Sequence, residues 1–148
     1  MSTFTQLLYH IVFSTKNRER TLHDSYREQL LGYICGLLKN KQAHVYRVNM
    51  VEDHIHILCS LHRSDCIADI VKLIKNSATI MIKREGILPD FHGWQNGYGA
   101  FTVSWTERDA LIDYIKHQIE HHKHEDFLTE FKKILDAVGI DYKDAYIQ

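Results

Sequence analysis

Asp53-His54-Ile55-His56-Ile57-Leu58 has the alternation of a buried strand. Side chains along a strand point to opposite faces in turn, so His54 and His56 project together while Ile55 and Ile57 face the other way. Two neutral imidazoles then converge on one spot, which suits a divalent cation whose other ligands, an oxygen donor and water, come from elsewhere. A His-x-His pair also serves simply as two hydrogen-bonded histidines on a half-exposed strand. Its meaning therefore depends on what the rest of the chain sets beside it.

Immediately before this strand, Ala43 to Val51 alternates as a second strand, and Glu52-Asp53 makes the hairpin turn. Phe4 to Ser14, rich in aromatic and β-branched residues, predicts an internal first strand with Tyr9 and His10 on opposite faces. Between them Leu22, Tyr26, Leu30, Tyr33, Ile34, Leu37 and Leu38 recur at three and four residues. That spacing predicts a helix ending near Asn40, with Thr21 or Asp24 as its cap. A second helix opens at Ser64 or Asp65, and its face of Ile67, Ile70, Val71, Ile74, Ala78, Met81 and Ile82 runs until Gly86. The loop holding Pro89, Gly93, Gly97 and Gly99 carries Trp94, Gln95 and Tyr98, and Ala100 to Trp105 returns as a strand. A third helix is expected from about Glu107 to Glu125 and a fourth from Asp126 to about Val138. Strand, helix, strand, strand, helix, strand is the split βαβ order of an α+β, ferredoxin/RRM-like antiparallel sheet with two helices on one face. His54 and His56 would lie mid-sheet on the opposite face, where a C-terminal helix can cover them.

Length predicts a single domain spanning 1–148, long enough to bury a core without staples. Net charge is −1, so composition alone does not announce a nucleic-acid binder. Positive charge is nevertheless gathered locally, in Lys16-Asn17-Arg18-Glu19-Arg20 and along Lys72, Lys75, Lys83 and Arg84. No apolar run approaches the length of a bilayer span, and the N-terminus lacks a charged region followed by an apolar one. The expectation is a cytoplasmic protein with no membrane partner. Cys35, Cys59 and Cys66 stand at unrelated spacings within apolar patterns, which predicts reduced thiols.

At about 100° per residue, Gln118, His121 and Glu125 fall within roughly 40° of Tyr114, while Ile112, Ile115 and Ile119 form a separate apolar stripe. The helix thus presents a phenol with a carboxamide one turn later. A tyrosine hydroxyl with a pKa near 10 attacks phosphorus poorly, but a cation on the scissile phosphate makes phosphorus more electrophilic and offsets developing charge, which makes Tyr114 the candidate nucleophile. His117 and His121, four residues apart, offer a rival zinc pair. A histidine-rich helix end also suits the C-terminal dipole.

Taken together, these residues resemble the single-tyrosine HUH transposases of small bacterial insertion sequences and their REP-associated relatives. The resemblance rests on Tyr9-His10-Ile11-Val12-Phe13-Ser14-Thr15-Lys16, His54-Ile55-His56, Trp94-Gln95-Asn96-Gly97-Tyr98-Gly99-Ala100-Phe101, and Tyr114-Ile115-Lys116-His117-Gln118 followed by Glu120-His121-His122. It implies that His54, His56 and Gln118 bind Mg²⁺ or Mn²⁺. It further implies that Tyr114 attacks single-stranded DNA to form a 5′-phosphotyrosine link and free a 3′-hydroxyl. The expected partners are single-stranded DNA with subterminal hairpins and a second copy in a homodimer, with Tyr114 acting in its own subunit or in its neighbour's. Lys16, Arg18, Lys72, Lys75 and Lys83 are candidate phosphate contacts, and Trp94 and Tyr98 are candidate stacking platforms, with packing beneath the glycine-rich loop the equal alternative for both aromatics. The alternative readings are a domesticated relative that binds or nicks hairpin DNA without mobilising an element, and a phosphoesterase that uses the histidines without covalent attachment.

Overall fold

A computed structural model of the chain describes residues 1–147. Four strands, β1 (Leu8–Ser14), β2 (His44–Val51), β3 (His54–Ser60) and β4 (Gly99–Val103), form one sheet in the order β2-β3-β1-β4, with every neighbouring pair antiparallel. This is the split βαβ arrangement read from the element order. The central pair is β3 and β1, in register Ser14 opposite His54, Val12 opposite His56 and His10 opposite Leu58. Residues paired across an antiparallel ladder share a face, so His10, Val12 and Ser14 stand beside the two histidines.

The other face is apolar. Ile11, Phe13, Ile55 and Ile57 pack against α1 (Arg27–Asn40) through Leu30, Ile34 and Leu38, and against α2 (Ile67–Glu85) through Ile70, Ile74 and Ala78. Full burial of each such aliphatic side chain is worth roughly 1.5–3 kcal/mol, so this layer carries most of the hydrophobic stabilisation. Gly86 closes α2 in the left-handed region at φ 63°, as a glycine after the last apolar residue should.

Several boundaries differ from the sequence reading. Phe4 is exposed and β1 starts at Leu8, the first residue with a partner in both neighbouring strands. A single 3₁₀ turn, Asp24–Tyr26, precedes α1, and Asp24 pairs with Arg27 at 2.6 Å instead of capping the helix. Cys66 is exposed at the start of α2, outside the apolar pattern, whereas Cys59 is buried and Cys35 half-buried. The predicted third helix is broken. It runs as α3 (Arg108–Lys116), leaves helical geometry at His117 (φ −96°, ψ 18°), and resumes as the short α4 (Gln118–His121). Because of that break Ile115 is buried while Ile119 is left exposed, so the apolar stripe does not continue past His117.

The fourth helix, α5 (Phe127–Ala137), begins where Asp126 was expected to start it, and the Asp126 carboxylate accepts the Thr129 backbone N–H at 2.8 Å. It lies on the histidine face, where Phe127 and Leu135 join Val12 and Phe101 in a second apolar cluster. A Cβ on Gly99 would come within 2.7 Å of Phe131 and 2.9 Å of Phe101, so the missing side chain in β4 is what lets α5 seat. Among the described residues no helix is long and apolar enough to cross a membrane. Gly99→Ala should therefore overpack this contact and destabilise the fold by about 1–3 kcal/mol, read as a lowered melting temperature. A variant that melts at or above the wild-type temperature would mean that α5 is not seated through this contact.

Candidate active site

His54 and His56 are fully buried on the sheet face that α3, α4 and α5 cover. Each is oriented through its Nδ1. The Asp53 carboxylate lies 2.7 Å from His54 Nδ1 and accepts its N–H, leaving Nε2 to face the site. His56 Nδ1 lies 2.8 Å from His10 Nε2, and the two rings stack with centroids 5.1 Å apart. For His56 Nε2 to offer a lone pair to an ion, its proton must sit on Nδ1 and be donated to His10, which fixes the tautomer of both rings.

Opposite them, the break at His117 turns Gln118 inward. Its carboxamide oxygen lies 3.3 Å from His54 Nε2, and its N–H donates to Glu130 at 2.9 Å. Tyr114, half-buried one turn earlier, stands edge-on to His56 at a centroid distance of 6.0 Å and donates its hydroxyl hydrogen bond to Glu130. Asn49 of β2 holds this segment down: its side-chain N–H donates to the carbonyls of Ile115 at 2.9 Å and Lys116 at 3.3 Å, the orphan acceptors at the end of α3. The phenol, both imidazoles and the carboxamide of the sequence reading thus meet within one chain.

At their centre is Glu130, which the sequence reading did not single out. Its carboxylate is 3.0 Å from His122 Nε2, 3.2 Å from His56 Nε2 and 3.4 Å from His54 Nε2, and it is 1% exposed. The signal was there: Phe127, Phe131, Ile134 and Leu135 form the apolar face of α5, and a glutamate on that face demands polar partners. Burial would raise the Glu130 carboxyl, but hydrogen bonds from His122, His54 and His56 outweigh it and hold the group well below the usual carboxylate range. Burial also lowers His54, yet Asp53 and Glu130 together bring it above its ordinary value. Burial pulls His56 down to about 4, helped by the neighbouring His54, and pulls His10 down to about 3, helped by His56. The Tyr114 phenol is pushed well up by its partial burial and by the adjoining Glu130 carboxylate.

Donor atoms of His54, His56, His122 and Glu130 all lie within 4.8 Å of one another, so this cluster could hold a metal ion. Imidazole nitrogen with carboxylate and carboxamide oxygen is a donor set that fits a small divalent cation. His117 does not join it; its ring turns to the Asp113 carbonyl, 2.8 Å away. His121 pairs with Glu125 at 2.6 Å, so the rival zinc pair is not assembled.

The remaining sequence candidates are dispersed. Lys72 and Lys83 are exposed on α2, across the sheet from the histidines. Lys75 is engaged elsewhere than on a phosphate: its ammonium donates to the carbonyls of Gln95 at 2.9 Å and Gly97 at 2.7 Å, and burial lowers its pKa. Trp94 is likewise packed, its ring edge-on to Phe13 and Phe91 and its indole N–H donating to the Lys75 carbonyl. Tyr98 is exposed on the glycine-rich loop. Lys16 and Arg18 follow Ser14 at the end of the sheet where His54 lies.

Comparison with known proteins gives a consistent picture. Residues 3–118 match the family model described as "Transposase IS200 like". The chain is 27% identical over 120 residues to the transposase for insertion sequence element IS200 of Salmonella typhimurium, covering 78% of each. It is 25% identical over 118 residues to the ISDra2 transposase TnpA of Deinococcus radiodurans, covering 76% of this chain and 84% of that one. A REP-associated tyrosine transposase solved bound to a REP hairpin shares the fold at a TM-score of 0.62 with 16% identity, over 82% of this chain and 74% of that one. A crystal structure from Deinococcus radiodurans R1 aligns at a TM-score of 0.60 with 22% identity, over 80% of this chain and 95% of the other.

The two depressed histidines carry a pH consequence. In the unfolded chain each binds a proton near pH 6.5, but in the metal-free fold not until about 3 for His10 and about 4 for His56. Between those limits the unfolded state holds more protons, so stability falls as pH drops from about 6.5 toward 4. The raised His54 acts in the opposite sense, adding stability below pH 6.5, but it is one group against two. Melting temperatures of the protein in chelator should fall steadily across that window, and His10→Gln should flatten the slope. A flat profile for the wild type would contradict the buried neutral pair.

Proposed function

This chain belongs to the IS200-like transposase family, and from that premise we propose that it is a metal-dependent DNA strand transferase, cleaving and rejoining single strands at element ends through a 5′-phosphotyrosine link. The observation that carries the reading is the convergence of Tyr114, His54, His56 and Gln118 on one buried point. His54, His56 and Gln118 would hold the ion, with Asp53 and His10 fixing the two rings. When bound, Mg²⁺ or Mn²⁺ supplies polarisation of the scissile phosphodiester and neutralises developing charge.

Tyr114 is half-buried and borders a groove lined by His10, Phe101, Glu107, Leu111 and Ile134. Its oxygen attacks phosphorus; the Tyr114 Oη–P bond forms as the P–O3′ bond breaks. The phenol gives up its proton to solvent and the departing 3′-oxygen takes one from solvent, so the proton count is unchanged. Because burial and Glu130 keep the free phenol protonated, proton loss accompanies attack and does not precede it. The freed 3′-hydroxyl then attacks a second such junction, exchanging one phosphodiester for another with no outside energy.

The preferred substrate is single-stranded DNA carrying hairpins, a reading supported by the structural neighbour that binds a REP hairpin. Lys16, Arg18 and Tyr98 contact the strand near the site. Lys72 and Lys83 meet phosphates of a stem, and Lys75 and Trp94 serve by holding the glycine-rich loop. The protein acts as a single domain and as a homodimer in which each protomer has a complete site, since Tyr114 already meets His56 of its own chain.

With Mn²⁺ and hairpin-bearing single-stranded oligonucleotides, a covalent protein–DNA adduct should appear on denaturing gels, and Tyr114→Phe should remove it. Chelator should do the same. An adduct that persists in Tyr114→Phe and maps to another residue would refute the assignment, as would turnover of simple nucleotides by that variant.

A further inference from the structure

The carboxylate of Glu130 has its own chemistry, which the proposed use of His54, His56, Gln118 and Tyr114 leaves unexplained. It lies on α5, and both it and His122 fall beyond residues 3–118, so the family match says nothing of either. A glutamate that is 1% exposed on the apolar face of a helix is costly unless each oxygen is well partnered. Here the two oxygens face different groups. Oε1 faces the Nε2 atoms of His122, His56 and His54 at 3.0, 3.2 and 3.4 Å. Oε2 accepts from Gln118 Nε2 at 2.9 Å and from the Tyr114 hydroxyl.

The spacing is informative. Ligands about 2.1 Å from a common ion stand about 3.0 Å apart at right angles and about 3.4 Å apart at tetrahedral angles. Glu130 Oε1 keeps that separation from all three imidazole nitrogens, so it stands where a fellow ligand would and not where the ion itself would. Its other oxygen reaches the proposed nucleophile. We infer that Glu130 is a ligand of the catalytic ion, with His122 as the third imidazole beside His54 and His56, and that its second oxygen aims the Tyr114 hydroxyl at the phosphate held there. One carboxylate thereby ties the position of the nucleophile to the position of the metal.

This inference rests on the metal site proposed above, and the test separates the two. Mn²⁺ is titrated into the full chain, with free Mn²⁺ followed by electron paramagnetic resonance, for wild type, His54→Ala and Glu130→Gln, each checked for folding by circular dichroism. Wild type should bind one Mn²⁺, His54→Ala should not, and Glu130→Gln should bind at least about tenfold more weakly. If Glu130→Gln does not fold, Glu130→Asp carries the same expectation, because it keeps the buried charge while withdrawing the oxygen by one methylene. At saturating Mn²⁺ the folded Glu130 variant should also form the covalent adduct roughly tenfold or more slowly, with an unchanged KM for the oligonucleotide.

Mn²⁺ binding that depends on His54 but is as tight or tighter without the Glu130 carboxylate would overturn the ligand role while leaving the metal site standing. An unchanged adduct rate at saturating metal would overturn the aiming role. No Mn²⁺ binding by the wild type would remove both the site and this inference.

Discussion

Two imidazoles with no access to water sit in the middle of a sheet, and the polar architecture around them follows from that. A buried ring nitrogen without a partner costs about 1–3 kcal/mol, and His54 and His56 bring four such nitrogens. Asp53 and His10 satisfy the outward pair; Gln118, His122 and Glu130 gather round the inward pair. The same arrangement that satisfies the nitrogens also aligns them. The donor atoms of that cluster lie close enough together that it could hold a metal ion.

The sheet separates the work of stability from the work of chemistry. Its isoleucine face, packed on α1 and α2, buries most of the aliphatic core and is not interrupted by polar groups among the residues that form it. Its histidine face is covered by α3, α4 and α5 with a much smaller apolar cluster. Strand alternation allows both within the same residues of β3, since Ile55 and Ile57 support the core while His54 and His56 face the site. The tyrosine segment is held by polar contacts instead, chiefly Asn49 on the end of α3. Because the helix breaks at His117, Gln118 is drawn down to the histidines and Ile119 is left in solvent.

Much of this was legible in the order of residues. Periodicity of two identified β3 and its two faces, periodicity near 3.6 identified α1 and α2, and the sequence of elements then implied the sheet order. The aspartate and glycine signals worked where they act locally, at Asp126 and Gly86. They failed where a tertiary contact took over: Asp24 bonds Arg27 and leaves the cap, and a continuous third helix gives way at His117 because Asn49 competes for the carbonyls at its end. Lys75 looked like a surface contact because nothing in its local pattern records that the glycine-rich loop folds onto it, whereas packing beneath that loop was already one of the two readings of Trp94.

Sequence alone determined the facing of His54 with His56, because the two lie within one alternation of a single strand; Tyr114 and Gln118 stand one turn apart in the sequence but on α3 and α4, and the break at His117 between them is what turns Gln118 inward. Only the tertiary structure decided that the two pairs share a centre, and that the centre is Glu130 on α5. Those elements are joined by no local rule: β3 and α5 are brought together by the packing of Phe127, Phe131 and Leu135 over Gly99, Val12 and Phe101. A glutamate on an apolar helix face shows that some polar partner must exist, but its identity depends on which surface that helix covers, and that is a property of the folded chain.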